Sequence, residues 1–139
     1  MRVFILLTMT PIVDITTYLT AMNGLEYWHL YIMAAFYFYA GVSHFRNPKF
    51  FLKITPPWVP RPELVNIIVG VAEILIGIGL IVPATRSISA WATIALLVAV
   101  FPANLYHHQK ARTKGKHVIP TLIRLPIQLL LLWWAYSYT

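Results

Sequence analysis

The sequence has no cysteine and few acidic residues. Its 139 residues include four Asp and Glu against eleven Lys and Arg, so the formal net charge is +7. Without thiols, the chain by itself cannot form disulfides, carry out thiol redox chemistry or build a thiolate metal site. His107, His108 and His117 lack the carboxylate or cysteine companions of a closed metal site, so no metal is predicted.

Apolar residues are abundant instead. The chain is 59% hydrophobic and 11% charged, with a mean hydropathy of +0.69. A helix crossing about 30 Å of hydrocarbon needs roughly 20 mostly apolar residues, and the strict alternation of a membrane β-strand is absent. We therefore predict an all-α membrane protein, an antiparallel four-helix transmembrane bundle. Its four apolar runs are 27–45, 64–82, 88–106 and 118–136.

An extension, residues 1–26, precedes the predicted four-helix domain of residues 27–139. The extension begins with apolar residues, but Pro11 and Asp14 interrupt it. An Asp at the centre of a span costs about 2.5–3.5 kcal/mol on insertion scales. A fifth spanning helix, an interfacial helix and part of a targeting signal all stay open. The lack of an obvious small-residue cleavage site slightly favours a short or tilted fifth helix.

Basic residues are concentrated in segments 46–62 and 107–117, whereas Arg86 is the one basic residue between the second and third runs. The positive-inside rule therefore predicts that both basic loops are cytoplasmic and the C-terminus lies outside, in a multi-pass protein of the cell (inner) membrane. We attribute the positive charge to topology and to anionic lipids, and predict no nucleic-acid partner.

The dense prolines of residues 56–62 favour an extended or re-entrant path. Phe50, Phe51 and Leu52, which lie between two lysines, suggest a segment in the headgroup layer, and a lid over a cavity is the alternative.

Glu73 is the one charged residue between positions 67 and 82. At 100° per residue, Asn66, Gly70, Glu73 and Gly77 share one helical face. Ionisable groups in membranes face the bundle interior, and glycines let a second helix approach closely, so both features place this face inside. The other runs carry comparable stripes: Ala34, Tyr37, Gly41 and His44; Ala90, Thr93, Leu97 and Asn104; Thr121, Arg124, Gln128 and Ala135.

The polar residues of these stripes form a candidate intramembrane site. Helical rise predicts two layers, the second roughly 10 Å deeper than the first. We predict an ion pair between Glu73 and Arg124, or a hydrogen-bonded network with Tyr37 and Gln128. A purely structural role in helix packing is the alternative. The shallow layer contains His44, Asn66 and Asn104, the deep layer Tyr37, Glu73 and Gln128, Arg124 lies between them, and Gly41, Gly70 and Gly77 are predicted packing positions.

The chain resembles a known family in three motifs: "YAGVSHFRNPKFFLKITPPWVP", "IIVGVAEILIGIGLIVPATRSISAW" and "VFPANLY". From about residue 30 to residue 106 the chain resembles the DoxX-like family of small integral membrane proteins. The resemblance implies a four-helix membrane bundle. The family takes its name from a membrane subunit associated with a terminal quinol oxidase, and related proteins are membrane accessory factors. The matching elements are G-x-x-H-F at Gly41, His44 and Phe45, G-x-x-E at Gly70 and Glu73, and F-P-A-N at Phe101 to Asn104.

Three functions remain after these observations. We expect first a non-catalytic accessory or scaffold subunit that docks onto a membrane protein or a second copy of the chain. The alternative is a quinone-linked oxidoreductase subunit in which Glu73, His44 and Tyr37 bind the quinone head; the chain itself would carry no cofactor. The third is a binder or transporter of a small lipophilic molecule. A cavity beside Glu73 is the feature that would separate these functions.

Overall fold

The structure, a computed structural model, describes residues 27–139, and within them it contains five helices and no strand. The all-helical prediction is therefore confirmed. The extension of residues 1–26, with its predicted fifth helix, lies outside the described residues. The helices are α1 (Trp28–Arg46), α2 (Pro48–Ile54), α3 (Pro62–Ile81), α4 (Arg86–Lys114) and α5 (Val118–Tyr136).

Three of these helices, α3, α4 and α5, are long and apolar enough to cross a membrane. Their number and composition are consistent with a multi-pass membrane protein. The helix α1 occupies the first predicted apolar run but is not one of these three. Its many aromatic and small residues make it less apolar than the Ile- and Leu-rich α3.

Proline and glycine set the ends of several helices. Pro48 and Pro62 occupy first-turn positions of α2 and α3, where the missing N–H costs nothing. Gly115 ends α4 with a left-handed φ of 61°, and the N–H of Lys116 then bonds to the carbonyl of Ala111.

The prediction of a loop from residue 107 is wrong, since α4 continues to Lys114. No proline or glycine interrupts residues 103–114, and their side chains favour helix.

The closest packing joins α1 to α3, which run antiparallel. A Cβ atom added to Gly41 would lie 2.6 Å from the carbonyl oxygen of Gly70, and one added to Gly77 would lie 2.7 Å from that of Ala34. No side chain fits at such distances, so glycine alone permits this approach of the two backbones. Gly41, Gly70 and Gly77, the predicted packing positions, all lie at this contact.

The remaining helices follow in a row. The helix α3 packs on α4, and α4 on α5, but no Cα atom of α1 lies within 8 Å of one in α5. The apolar core occupies the end of this array where α1 begins and α3 ends, and the polar residues lie towards the other end, which α2 covers. Five core residues are completely inaccessible: Leu30, Met33, Leu80, Ala90 and Ala135.

Candidate functional site

His44 and Asn66 are buried and hold each other across the contact between α1 and α3. Asn66 donates from Nδ2 to the backbone oxygen of His44 over 3.1 Å, and its Oδ1 lies 2.7 Å from His44 Nδ1. A backbone oxygen can only accept, so the NH₂ group of Asn66 must face it and Oδ1 must face the imidazole. His44 Nδ1 therefore carries a proton and donates to Asn66, and Nε2 is directed towards Glu73.

Glu73 meets His44 at that second nitrogen. The distance from His44 Nε2 to Glu73 Oε2 is 3.4 Å, and the two side chains are 11% and 15% exposed. The contact is of ion-pair length, but Oε2 accepts no hydrogen bond from the residues described. Phe51 of α2 stacks on the imidazole, with 3.7 Å between ring centroids and 22° between planes. His44 is thus fixed by Asn66 and Phe51, while the carboxyl group retains an unused oxygen.

A second polar pair links α4 to α5. Asn104 donates from Nδ2 to Gln128 Oε1 over 2.8 Å, and Gln128 Nε2 donates to the backbone oxygen of Leu97. Gln128 is 3% exposed, so its amide is almost fully enclosed. Both hydrogen-bonding ends of this amide are satisfied within the protein, which is what a structural polar residue requires.

The two predicted layers are not separate. His44 contacts Glu73, and Asn104 contacts Gln128, so each pair joins a shallow residue to a deep one. Side chains tilt towards the N-terminus of their own helix. In antiparallel neighbours, the tilt lowers the shallow side chain of one helix and raises the deep side chain of the other. A count of helical rise at Cα atoms therefore overestimates the separation.

Two cavities of about 250 and 290 Å³ meet at these groups. The first, between α3 and α4, is covered by residues of α2 and of the proline-rich segment that follows it. The second lies between α1 and α5 and is lined by Tyr37 and Gln128 as well as by apolar side chains. An apolar cavity with a few convergent polar groups is the usual form of a small-molecule site. Both cavities are lined by His44, Phe51, Glu73, Val100, Asn104 and Arg124.

Arg124 lines both cavities but is exposed, contrary to its predicted inward position, and it does not form the predicted ion pair with Glu73. Within 4.0 Å of the Glu73 carboxylate, the basic group among the residues described is His44. Tyr37, 2% exposed, lines the second cavity with Glu73, and its hydroxyl also lacks a hydrogen-bond partner among those residues. The predicted network through Tyr37 and Gln128 is therefore not formed directly. The two side chains share a cavity with Glu73 instead.

The contact of Phe51 with His44 was not predicted. For the first basic loop the predicted alternatives are a segment in the headgroup layer and a lid over a cavity, and in the structure Phe51, Ile54 and Pro56 line the first cavity. Lys110 of α4 holds this segment by donating to the backbone oxygen of Lys53 over 3.1 Å. Three apolar residues between two lysines were the available signal, but prolines rather than periodicity set the direction of α2.

The protein is all-helical, and its three helices of membrane-spanning length and composition, with two mainly apolar cavities, are consistent with a multi-pass membrane protein. The chain belongs to the family described as Domain of unknown function (DUF8561), which matches residues 33–139. The matched region includes the residues that line both cavities. No curated protein and no solved structure matches the chain.

Proposed function

We propose that this protein is a non-catalytic, membrane-embedded binding protein for a small amphiphilic molecule. The polar head would lie among His44, Glu73 and Arg124, and the apolar part would extend between α1 and α5. The supporting observation is the pair of unsatisfied polar atoms, Glu73 Oε2 and Tyr37 Oη, at one cavity. Each polar atom without a hydrogen bond destabilises the protein in hydrocarbon by roughly several kcal/mol, unless a bound molecule or water supplies the missing partner.

The membrane arrangement that we propose is a DoxX-like four-helix bundle in the cell (inner) membrane, with α1 as the fourth span. Nineteen residues of helix reach about 28 Å, close to the thickness of the hydrocarbon layer. Exposed apolar side chains on α1, including Ile32, Phe36 and Phe38, suit contact with lipid. The positive-inside rule then puts α2 and the end of α4 in the cytoplasm.

The absence of cysteine makes this topology easy to test. Cells that carry a single cysteine in place of Lys49, Ala84 or Lys114 would be treated, while intact, with a membrane-impermeant maleimide. We expect labelling of Ala84→Cys alone, with the other two labelled only after lysis. Labelling of Lys49→Cys or Lys114→Cys from outside would contradict the proposed orientation.

Binding can be tested with amphiphiles of one chain length. We expect radiolabelled dodecanol or dodecane sulfonate to bind saturably to the protein in zwitterionic nanodiscs. Ala40 lines the second cavity, so Ala40→Phe should abolish binding, whereas Ala35→Phe, on an exposed part of the same helix, should not. Glu73→Gln should weaken binding, and Glu63→Gln, at the exposed start of α3, should leave it unchanged.

Two outcomes would reject the binding function. One is the absence of saturable binding by either amphiphile. The other is equal binding by the wild type and Ala40→Phe. In that case the polar cluster would be better explained as packing support for an accessory subunit, whose partner would be sought by co-purification.

A quinone-linked role is the second candidate, because a phenol, an imidazole and a carboxyl group line one cavity and all three can carry protons. Electrons would come from a partner protein. This role predicts a quinone-dependent spectral change in the purified complex that is lost in Glu73→Gln and retained in Glu63→Gln.

A further inference from the structure

The contact between His44 and Glu73 holds one proton. Asn66 fixes a proton on His44 Nδ1, so a neutral imidazole presents a lone pair at Nε2, and Glu73 Oε2 lies 3.4 Å from it. A lone pair facing a carboxylate at this distance is repulsive in a poorly solvated site. One proton on Oε2 or on Nε2 removes this repulsion, and at 3.4 Å it forms no complete hydrogen bond across the contact, so Oε2 stays open to a donor from a bound molecule. In the first case both groups are neutral, in the second they are oppositely charged, and in either case their charges sum to zero.

Arg124 adds a positive charge that this neutral pair does not offset. A guanidinium stays protonated in proteins, and a tyrosine hydroxyl such as that of Tyr37 is neutral near pH 7. Glu63 is the other acidic residue in the described part of the chain, and it is exposed and lines neither cavity. The described walls of the site therefore carry a net charge of about +1.

We propose that the bound molecule is a lipophilic anion, an amphiphile with a singly charged anionic head. This inference rests on the proposed function and adds the sign of the ligand's charge. The Arg124 side chain lines both cavities and is also exposed on the surface of the array. A positive charge that faces hydrocarbon is costly, and an anionic head beside Arg124 offsets it. The planar guanidinium binds carboxylate, sulfonate and phosphate oxygens through paired N–H groups. Tyr37 Oη, which has no partner among the described residues, lies on the wall of the second cavity and donates to the same head.

The apolar part of such a molecule has an exit towards the bilayer. Phe36 and Ile127 line the second cavity and are also 50% and 46% exposed, so this cavity reaches the outer surface of the array. The space for an alkyl chain is this cavity of about 290 Å³ between α1 and α5. The head would then meet Arg124 while the chain stays in lipid.

The test compares three probes with the same twelve-carbon chain: dodecane sulfonate, dodecanol and dodecyltrimethylammonium. The sulfonate remains ionised at every accessible pH, so the comparison isolates head charge. In zwitterionic nanodiscs we expect the sulfonate to bind at least about tenfold more tightly than the alcohol, and the ammonium probe to bind most weakly. Arg124→Gln should remove the preference for the sulfonate, and Arg124→Lys should keep most of it. The exposed Arg112→Gln is the matched control.

The wild-type comparison tests the inference even if Arg124→Gln does not fold. Equal binding of sulfonate and alcohol, or tighter binding of the alcohol, would overturn the anion assignment while leaving the binding function intact. Retention of the sulfonate preference in a folded Arg124→Gln protein would also overturn it. If none of the three probes binds saturably, the binding function itself is wrong.

A final arm separates two sources of the anion. Phosphatidylglycerol is added to the nanodiscs while binding of labelled sulfonate is measured. Displacement of the sulfonate would identify an anionic phospholipid as the occupant, and undiminished binding would identify a free single-chain acid. Both results support an anionic head, and they assign it to different molecules.

Discussion

The two ends of the helix array are built differently. At one end, Leu30, Met33, Leu80 and Ala90 have no accessible surface, and the backbones of α1 and α3 touch at Gly77. At the other end, polar side chains replace apolar ones, and cavities lie between α3 and α4 and between α1 and α5. Close packing supplies stability, whereas cavities lined by unsatisfied polar atoms sacrifice some of it. In the function that we propose, the closed end stabilises the protein and the open end binds the ligand.

Polar contacts also serve different purposes at the two ends. At the closed end, Tyr138 hydrogen-bonds to His29, and Trp134 Nε1 donates to the same hydroxyl over 3.1 Å, so the C-terminus is tied to the start of α1. At the open end, the groups of Gln128 are fully used, but Glu73 Oε2 and Tyr37 Oη are not. In the function that we propose, these two atoms form hydrogen bonds with the bound molecule.

The largest expected effect is at the closed end. In Gly77→Leu, the added side chain meets the backbone of Ala34 and Phe38, which cannot move without separating α1 from α3. We expect the free energy of unfolding to fall by at least about 3 kcal/mol, measured by denaturant titration in detergent. Ala92→Leu, on an exposed part of α4, is the control and should stay within about 0.5 kcal/mol of the wild type. Similar stability of the two variants would contradict the assignment of stability to this contact.

Asn66→Leu should have the next largest effect, because it removes both hydrogen bonds to His44 and leaves a buried N–H without a partner. The expected loss is about 1–3 kcal/mol. The variant also removes the hydrogen bond that keeps the proton on His44 Nδ1. In ¹⁵N NMR, the wild type should show a protonated Nδ1, and Asn66→Leu should show a shift of the proton towards Nε2.

Asn47→Leu, at the exposed end of α1, is the control and should preserve both the stability and the tautomer. A wild-type spectrum with an unprotonated His44 Nδ1 would contradict the protonation of His44 and Glu73 on which the assignment of an anionic ligand depends. The stability result and the spectrum therefore separate the structural part of this contact from its part in ligand binding.

Gln128→Leu should have a smaller effect on stability, between about 0.6 kcal/mol, the measured average for a hydrogen bond between membrane helices, and about 1.7 kcal/mol, the measured maximum. Because Gln128 is satisfied within the protein, we expect the preference for dodecane sulfonate to survive. The exposed Gln109→Leu is the matched control in the unfolding measurement. Loss of sulfonate binding in a stable Gln128→Leu protein would place this amide in the binding site instead.

Helical periodicity predicted the faces of the helices but not their contacts. All four residues of the first stripe, Ala34, Tyr37, Gly41 and His44, are buried, because burial of a face follows from spacing alone. The partner of Glu73 depends on the tilt of side chains from antiparallel helices, which a count along the chain does not contain. The position of Phe51 depends on prolines at both ends of α2, and the extent of α4 depends on the absence of a helix breaker before Gly115.

The smallest change in stability, and the sharpest test of the open end, is expected from Phe51→Ala. Loss of the ring contact with His44 should cost about 0.5–1.5 kcal/mol. It should also uncover the first cavity, which Ala103 lines. In the cysteine-free chain, a reporter Ala103→Cys should react several times faster with a maleimide when Phe51 is replaced. Phe50 is 52% exposed and does not line that cavity, so Phe50→Ala should leave the reporter rate unchanged. Equal rates in the two variants would mean that α2 does not limit access, and that molecules reach the polar cluster between α1 and α5 alone.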